Sequence, residues 1–182
     1  PGTVGTPLAD VQMKITDPET GKEMGKGEIG MIEVRGPNVF KGYWNMPDKT
    51  ALELRETGYF VTGDLGKLSS DGYLSIVGRE KDLIISGGYN VYPKEVEDIL
   101  NELNQIDETA VFGIPDNDLG ERVVAAIVLE SNKNFNQSKT EVFVSEKLAR
   151  YKQPKEYFVL DSLPRNSMGK VQKNELRKRF SS

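Results

Sequence analysis

A single lysine near the C-terminus has a setting that could support chemistry on a phosphate. Lys170 follows Gly169 in the segment Leu163–Val171, just ahead of a short basic stretch. Glycine lets the backbone bend close to a ligand, and a lysine ammonium can neutralise the charge of an oxyanion. The chain has no histidine and no cysteine, which excludes the usual general base, thiolate chemistry and cysteine zinc sites. Carboxylates, lysines, arginines and backbone amides remain, and these suit phosphoryl or nucleotidyl transfer.

Asp64, Arg79 and Lys81 form a second set of candidate residues. Asp64 follows a glycine-containing turn at the end of the apolar segment Gly58–Gly63. An aspartate there can accept hydrogen bonds from two vicinal ribose hydroxyls, or it can simply bond the backbone of its own turn. Arg79 and Lys81 lie in the charged segment Gly78–Asp82, where the composition of the chain changes. Such a segment fits a hinge, and it also fits an ordinary solvated turn.

Three glycine-containing motifs give signals of unequal value. Gly87 and Gly88 stand before Tyr89 and a predicted helix, so they either form a hairpin turn or let a ligand approach the backbone. Residues 25–30 match the letters of a dinucleotide-binding fingerprint, but a strand follows where that mechanism needs a helix N-terminus. Val171 stands where a phosphate-binding P-loop requires Ser or Thr. The last two motifs are therefore not predicted to bind nucleotide in those ways.

The composition is that of a globular chain with room for one core, or for one small domain and part of another. Of its 182 residues 37% are hydrophobic and 29% are charged, and no apolar run approaches membrane-spanning length. The formal net charge of −4 argues against a general nucleic-acid binder. Residues 164–182 are a local basic exception. They either complement the dipole of a last helix or attract an anionic ligand.

The first 77 residues alternate between short strands and turns. Strands are predicted at Val11–Ile15, Ile29–Val34 and Tyr73–Val77, and the last is the second arm of a hairpin that turns at residues 70–72. A short helical turn is predicted at Pro47–Leu54. This β-rich part is expected to be a β-barrel-like piece of a larger domain.

From about residue 81 the pattern is that of a compact α+β unit. In the second of its predicted helices, Val144, Leu148 and Tyr151 are expected on one face. The helices are predicted at Pro93–Leu103, Ser138–Arg150 and Lys173–Phe180. The strands are predicted at Glu108–Ile114, Glu121–Glu130 and Glu156–Leu160. The predicted fold class is α+β, with a β-rich domain at residues 1–80 followed by a small domain at residues 81–182.

The order and spacing of these motifs resemble the adenylate-forming superfamily along essentially the whole chain. The matching segments are Thr62-Gly63-Asp64, Gly78-Arg79-x-Lys81-Asp82, Gly87-Gly88, Pro93-x-Glu95-Val96-Glu97, Tyr151-Lys152-x-Pro154 and Pro164-Arg165-Asn166-x-x-Gly169-Lys170-Val171. This superfamily comprises acyl-CoA synthetases, aryl-CoA ligases, peptide-synthetase adenylation domains and beetle luciferases. The resemblance implies that a carboxylic acid reacts with ATP to form an acyl-adenylate. A small C-terminal domain then rotates, and a thiol, usually that of coenzyme A, displaces AMP.

The resemblance also implies a role for each candidate residue. Lys170 would bridge the substrate carboxylate and the α-phosphate of ATP. Asp64, assisted by Arg79, would hold the ribose hydroxyls, and Lys81 would be the hinge between the domains. The Gly87-Gly88-Tyr89 loop would enter the active site for thioester formation and line the tunnel for the pantetheine arm. Lys170 and this loop would thus serve alternate half-reactions from opposite faces of one domain.

Other parts of the family's machinery are expected to lie before residue 1. The chain opens Pro1-Gly2-Thr3-Val4-Gly5, without a methionine, and is interpreted as cut from something longer. The phosphate loop, the adenine-binding segment, the magnesium-binding motif and the acyl pocket are expected in that preceding part. The 182 residues alone are therefore expected to be inactive and to need the rest of the large domain. They are also expected to provide no ligand to Mg²⁺.

Within the superfamily, residues 29–34, 87–97 and 164–176 most resemble malonate–CoA ligases. The implied reaction makes malonyl-CoA from malonate, ATP and coenzyme A, with Mg²⁺. A medium-chain or aryl acid–CoA ligase, a peptide-synthetase adenylation domain and a non-catalytic binding module stay open as alternatives. The expected partners are small molecules, and neither nucleic acid nor membrane. The expected compartment is the cytoplasm, with an organelle left open.

Overall fold

The computed structural model describes residues 2–181. Its internal contacts divide the chain into two compact units, the first ending at Lys81 and the second beginning at Asp82. Each unit has its own sheet and its own buried core. Among the described residues, no helix is long and apolar enough to cross a membrane.

The first unit is built on an antiparallel meander of four strands. They are β1 (Gln12–Thr16), β2 (Gly30–Arg35), β3 (Phe60–Leu68) and β4 (Leu74–Arg79), hydrogen-bonded in that order. Alternating apolar residues bring Ile15, Ile32 and Leu74 into one buried cluster. A short helix, α1 (Pro47–Glu53), has proline in its first turn, where the missing N–H costs no hydrogen bond. The predicted strands and helical turn are present with their ends shifted by one or two residues, while the predicted barrel-like closure stays a prediction.

The segment around Asp64 differs from its prediction. The sequence placed a turn at Gly63, immediately before Asp64. Instead, β3 continues through both residues, and Gly63 adopts a φ of +72° within the strand. Because β3 is paired with β2 on one side and β4 on the other, its backbone stays in the sheet, and shifts in the pairing register accommodate the irregularity.

The second unit is a five-stranded mixed sheet with helices on both faces. Its strands are β5 (Ile84–Ser86), β6 (Tyr89–Val91), β7 (Ile106–Asp116), β8 (Gly120–Leu129) and β9 (Glu156–Leu160). The sheet order is β6-β5-β8-β7, and β9 pairs with β8 in parallel. The helices are α2 (Pro93–Leu100), α3 (Gln137–Lys147) and α4 (Lys173–Phe180).

Period-two alternation along β7 and β8 builds a core on each face of this sheet. On one face, Val111 and Val123 pack with residues of α2 and α3. On the other face, Phe112 and Val124 pack with Leu176 of α4. Each of these side chains is at most 1% exposed, and burying such a side chain contributes about 1.5–3 kcal/mol. The expected α+β fold is confirmed.

The second helix of this unit, α3, ends earlier than the sequence predicts. Leu148 is extended rather than helical, although it remains buried at 7% exposure. Arg150–Lys152 then forms a separate 3₁₀ turn. Tyr151 is therefore not on the helical face predicted for it, and its ring stacks on Tyr89 instead. The Leu148 carbonyl accepts from the side-chain amide of Gln153 at 2.8 Å, a local hydrogen bond that hydrophobic periodicity does not report.

Candidate functional site

Asp64 and Arg79 meet across β3 and β4 of the first unit. They are paired residues in the antiparallel register, and Arg79 Nε lies 2.7 Å from Asp64 Oδ1. The Asp64 side chain is 25% exposed and that of Arg79 is 51% exposed, so a ligand can reach the pair. The Thr62 hydroxyl accepts from the Asp64 N–H at 3.1 Å and donates to the Ile32 carbonyl at 2.9 Å, which holds the backbone beside the carboxylate. The carboxylate has further lone pairs for other donors, as binding of a diol requires.

A cavity of about 550 Å³ lies beside this pair, within the first unit. Arg79 and Lys81 contribute cationic walls to it, and Tyr43 and Phe60 contribute aromatic walls. The Tyr43 hydroxyl donates to Glu53 Oε2 at 2.5 Å, and this hydrogen bond raises the pKa of Tyr43. A cavity of this size with convergent polar groups can accommodate a small molecule.

Lys81 lies where the two compact units meet in sequence. It belongs to a 3₁₀ turn, Glu80–Asp82, and it is the last residue of the first unit. The next residue, Asp82, is within 3.5 Å of Arg177 on α4 and belongs to the second unit. The structure thus places Lys81 at a boundary between units, while its role as a hinge stays a prediction.

Gly87 and Gly88 form the two-residue turn of the β5–β6 hairpin. Their φ values of +58° and +81° are those that a type I′ turn requires, and Ser86 pairs with Tyr89 across the turn. A Cβ added at Gly88 would meet no atom within 4 Å, so the space beside the tip is open. The ring of Tyr89, which is 60% exposed, stacks on Tyr151 with centroids 4.7 Å apart. Of the two alternatives for this glycine pair, the structure shows the hairpin turn, and it leaves the tip accessible.

Lys170 ends a tight turn just before α4. The Gly169 N–H donates to the Asn166 carbonyl at 2.9 Å, and Gly169 has a φ of +79°. The Asn166 side chain accepts from the Lys170 N–H at 2.9 Å, and the Lys170 carbonyl accepts from the Asn166 N–H at the same distance. The Lys170 side chain is exposed, and within residues 2–181 its ammonium forms no hydrogen bond or ion pair. The turn therefore fixes the backbone of Lys170 and leaves its ammonium available to a ligand.

Two ion pairs of the second unit were not found from the sequence. Lys152 Nζ lies 2.6 and 2.8 Å from the two carboxylate oxygens of Glu95, in the first turn of α2. Lys173 Nζ lies 2.6 Å from Glu97 Oε1, which also accepts from the Val111 N–H at 2.9 Å. Burial lowers the pKa of Lys152, but the hydrogen bond and the charge of Glu95 outweigh that effect and the net pKa is raised. The glutamates belong to one of the sequence motifs and Lys152 to another, but spacing along the chain does not show which lysine meets which glutamate.

A metal site is not formed by the part of the chain that the structure describes. No group of three or more Asp, Glu, His or Cys side chains in residues 2–181 is arranged to hold an ion. The position of the Mg²⁺ ligands stays a prediction.

Comparisons with known proteins agree with the motifs. Residues 1–44 match the family described as AMP-binding enzyme, and residues 95–170 match the AMP-binding enzyme C-terminal domain. The chain is 42% identical to a long-chain-fatty-acid–CoA ligase of Bacillus subtilis, over 97% of this chain and 31% of that protein. It is 43% identical to a malonate–CoA ligase of Arabidopsis thaliana, over 97% of this chain and 30% of that protein. The crystal structure of ATP-bound MatB from Rhodopseudomonas palustris matches with a TM-score of 0.95 at 50% identity, over 100% of this chain and 36% of that chain.

The chain spans about a third of the length of these relatives. The acids in the relatives' names differ, so the comparisons support acyl-CoA ligases in general rather than one acid. The matches extend over both units, and the fold of the chain agrees with that of the solved structure. The chain belongs to the AMP-binding enzyme family, and the two relatives compared above are acyl-CoA ligases.

Proposed function

We propose that this chain is the C-terminal part of an ATP-dependent acid–CoA ligase that releases AMP. The observation that carries the proposal is that each unit presents a suitable exposed group within a family motif. The first unit presents the Asp64–Arg79 pair, and the second presents the exposed side chain of Lys170. ATP and coenzyme A are the proposed co-substrates, and the family match and the ATP-bound relative support the use of ATP.

The proposed reaction has two half-reactions. In the first, a carboxylate oxygen of the acid bonds to the α-phosphorus of ATP, and the bond to the pyrophosphate oxygen breaks. In the second, the thiol of coenzyme A loses its proton, its sulfur bonds to the acyl carbon, and the bond from that carbon to AMP breaks. Asp64 holds the ribose hydroxyls, and Arg79 orients Asp64. The Lys170 ammonium stabilises charge that develops on the α-phosphate, an effect of about 10²–10³ in rate for a preorganised donor.

The two units are proposed to serve these half-reactions in turn. Lys81 is the proposed hinge, because it lies at the sequence boundary between the units. The proposed domains are residues 1–80 and 81–182, as expected from the sequence. The Gly87-Gly88-Tyr89 hairpin is proposed to contact the pantetheine arm, since its tip is open and exposed. Mg²⁺ is proposed to be held outside these 182 residues, and the cytoplasm is the proposed compartment.

Malonate is the proposed acid, and a medium-chain or aryl acid is the second candidate. The sequence resemblance to malonate–CoA ligases and the identity to the Arabidopsis enzyme support malonate. The similar identity to a long-chain-fatty-acid–CoA ligase supports a fatty acid, the broader class to which a medium-chain acid belongs. A peptide-synthetase adenylation domain and a non-catalytic binding module remain the alternatives from other classes.

The natural polypeptide that carries this chain provides the test of function. AMP formation is measured with ATP, Mg²⁺ and coenzyme A across malonate, a medium-chain acid, an aryl acid and an amino acid. We expect activity with malonate. Activity with another acid would reject malonate and keep the ligase, whereas acid-dependent AMP formation without thioester would favour the peptide-synthetase alternative. No activity with any acid would favour the binding module.

A separate assay tests the 182-residue chain alone. We expect no acid-dependent release of pyrophosphate from it, because the acyl pocket and the magnesium-binding motif are proposed to lie elsewhere. Pyrophosphate release that disappears in Lys170→Ala would show that these residues suffice for adenylation.

A further inference from the structure

Tyr151 and Lys152 are consecutive residues, of which Tyr151 contacts the start of strand β6 and Lys152 contacts the helix that follows it. The Tyr151 ring stacks on Tyr89, the first residue of β6, at an interplanar angle of 28°. The Lys152 ammonium binds both carboxylate oxygens of Glu95, four residues after β6 ends. The 3₁₀ turn that contains them therefore spans β6 from one end to the other.

Strand β6 is anchored in the core at its last residue, Val91, whereas Tyr89 and Asn90 are exposed. It is the edge strand of the sheet, with β5 as its neighbour. Strand β5 in turn pairs with β8 at one position, Ser86 with Gly120, and Gly87 N–H donates to the Leu119 carbonyl at 2.8 Å. The buried pair Ile84 and Val91 anchors the base of this hairpin, so the tip beyond it needs further contacts to hold one orientation.

The burial of these side chains differs from that of residues that only stabilise a core. Tyr89 is 60% exposed and Tyr151 is 36% exposed, and an aromatic pair contributes about 0.5–1.5 kcal/mol beyond its burial. The Lys152 side chain is only 19% exposed, and both of its bonds to Glu95 are short. Lys152 is therefore firmly held by Glu95, and the ring of its neighbour Tyr151 packs at the exposed tip of the hairpin.

We propose that Tyr151 and Lys152 are positioning residues for thioester formation. Lys152 fixes the 3₁₀ turn on Glu95, and Tyr151 then holds Tyr89 and the Gly87-Gly88 tip in the orientation that receives the pantetheine arm. The inference rests on the proposed function, which assigns this hairpin to the second half-reaction. Since neither residue forms a hydrogen bond with Lys170 or its turn within residues 2–181, the first half-reaction is expected to proceed without them.

The test measures the two half-reactions separately in the natural polypeptide that carries this chain. Acid-dependent pyrophosphate release reports adenylation, and conversion of supplied acyl-adenylate and coenzyme A to thioester reports the second step. Tyr151→Ala and Lys152→Met are expected to slow thioester formation about 10–100-fold, the size of effect that follows a small misplacement of reacting groups. Both variants are expected to adenylate within about twofold of wild type. The double variant is expected to lose no more than the more impaired single variant, because the two residues act as one unit.

Two control variants separate positioning from general damage. Lys147→Met removes a lysine of the same unit whose ion pair with Glu102 is unrelated to the hairpin, and both half-reactions are expected to be unchanged. Tyr151→Phe keeps the ring and is expected to restore thioester formation. If Tyr151→Ala fails to fold, Tyr151→Leu replaces it, because leucine fills space but does not stack.

Two results would overturn the inference while the proposed function stands. One is an equal loss in both half-reactions, which indicates a structural role. The other is thioester formation at the wild-type rate in both Tyr151→Ala and Lys152→Met. Failure of the wild-type polypeptide to form any acyl-adenylate or thioester would instead reject the proposed function, and the inference with it.

Discussion

The Asp64 carboxylate is held by one short contact with the guanidinium of Arg79. The contribution of its charge to ATP binding can be tested with an isosteric substitution. Asp64→Asn removes the charge and replaces one of the two acceptor oxygens by an NH₂ donor. Hydrogen bonds to charged groups are worth about 1.5–3 kcal/mol, so we expect the KM for ATP to rise roughly 10–100-fold. Asp71→Asn, in the exposed β3–β4 turn, is the matched control and should leave the KM unchanged. An unchanged KM in Asp64→Asn would remove this residue from the nucleotide site.

The effect of burial on stability can be measured at one group, the hydroxyl of Tyr157. The hydroxyl is buried without a hydrogen-bond partner among the described residues, and burial raises the pKa of Tyr157 to about 12. Because the folded pKa lies above the ordinary value of 10, the stability linked to the neutral hydroxyl is complete below pH 10 and is lost as the pH rises towards 12.

Tyr157→Phe removes both the unpaired hydroxyl and its titration. We expect the free energy of unfolding to stay the same or to rise by about 1 kcal/mol at pH 8. The advantage of the variant should increase at pH 11, where the wild-type tyrosine ionises in the unfolded chain. Urea unfolding at the two pH values measures this. If the difference in free energy of unfolding between Tyr157→Phe and wild type does not change with pH, ionisation of Tyr157 is not its cause.

Single residues were easier to predict from the sequence than their partners. Asp64, Arg79 and Lys170 could be singled out because they stand in short motifs beside glycines. The contact between Asp64 and Arg79 depends on the pairing register of β3 and β4, whereas the sequence placed Asp64 directly after a turn. The Lys152–Glu95 pair was missed for the same reason, since 57 residues separate its members and only the tertiary fold joins them.

Among the elements, the β5–β6 hairpin depends on its two glycines. Residues other than glycine pay about 1–2 kcal/mol to adopt the left-handed conformation, and asparagine pays least. No atom of residues 2–181 lies within 4 Å of a Cβ added at Gly88, so backbone strain decides the outcome there. We expect Gly88→Val to lower the free energy of unfolding of the second unit by about 1–2 kcal/mol, and Gly88→Asn to lower it by less. Equal losses in the two variants, measured by urea unfolding, would show that conformation is not the cause.

The turn before α4 depends on Asn166. Its side-chain oxygen accepts from the Met168 N–H at 3.0 Å and from the Lys170 N–H at 2.9 Å. Asn166→Ala loses both bonds, so we expect adenylation to fall about tenfold or more as Lys170 loses its fixed position. Asn166→Asp keeps an acceptor oxygen and should retain most of the activity. The rate of pyrophosphate release is measured for both variants. Equal rates would show that the hydrogen bonds of Asn166 do not affect adenylation.

Elements with clear periodicity were predicted well, and their ends were not. The helices that begin at Pro93 and Lys173 start where predicted, because proline and basic residues mark their ends. The course of β3 through Gly63 depends on its pairing with β2 and β4, which is a property of the folded sheet. The end of α3 is accompanied by a side-chain hydrogen bond from Gln153 to the Leu148 carbonyl, which hydrophobic periodicity does not report.

At the scale of the whole molecule, the first unit exposes apolar side chains around α1. Trp44 is 88% exposed, Leu52 is 76% exposed and Met46 is 50% exposed. Exposed apolar residues in one region are typical of a surface that another protein segment covers. We expect the rest of the large domain to cover this region, in agreement with the proposal that these 182 residues do not act alone.

Separate use of the two units is the central claim, and Lys170 tests it most directly. In the natural polypeptide that carries this chain, both half-reactions are measured for wild type and for Lys170→Ala. We predict that adenylation falls about 10²–10³-fold, while thioester formation from supplied acyl-adenylate stays near the wild-type rate. Equal loss in both half-reactions, or full adenylation in Lys170→Ala, would contradict the claim.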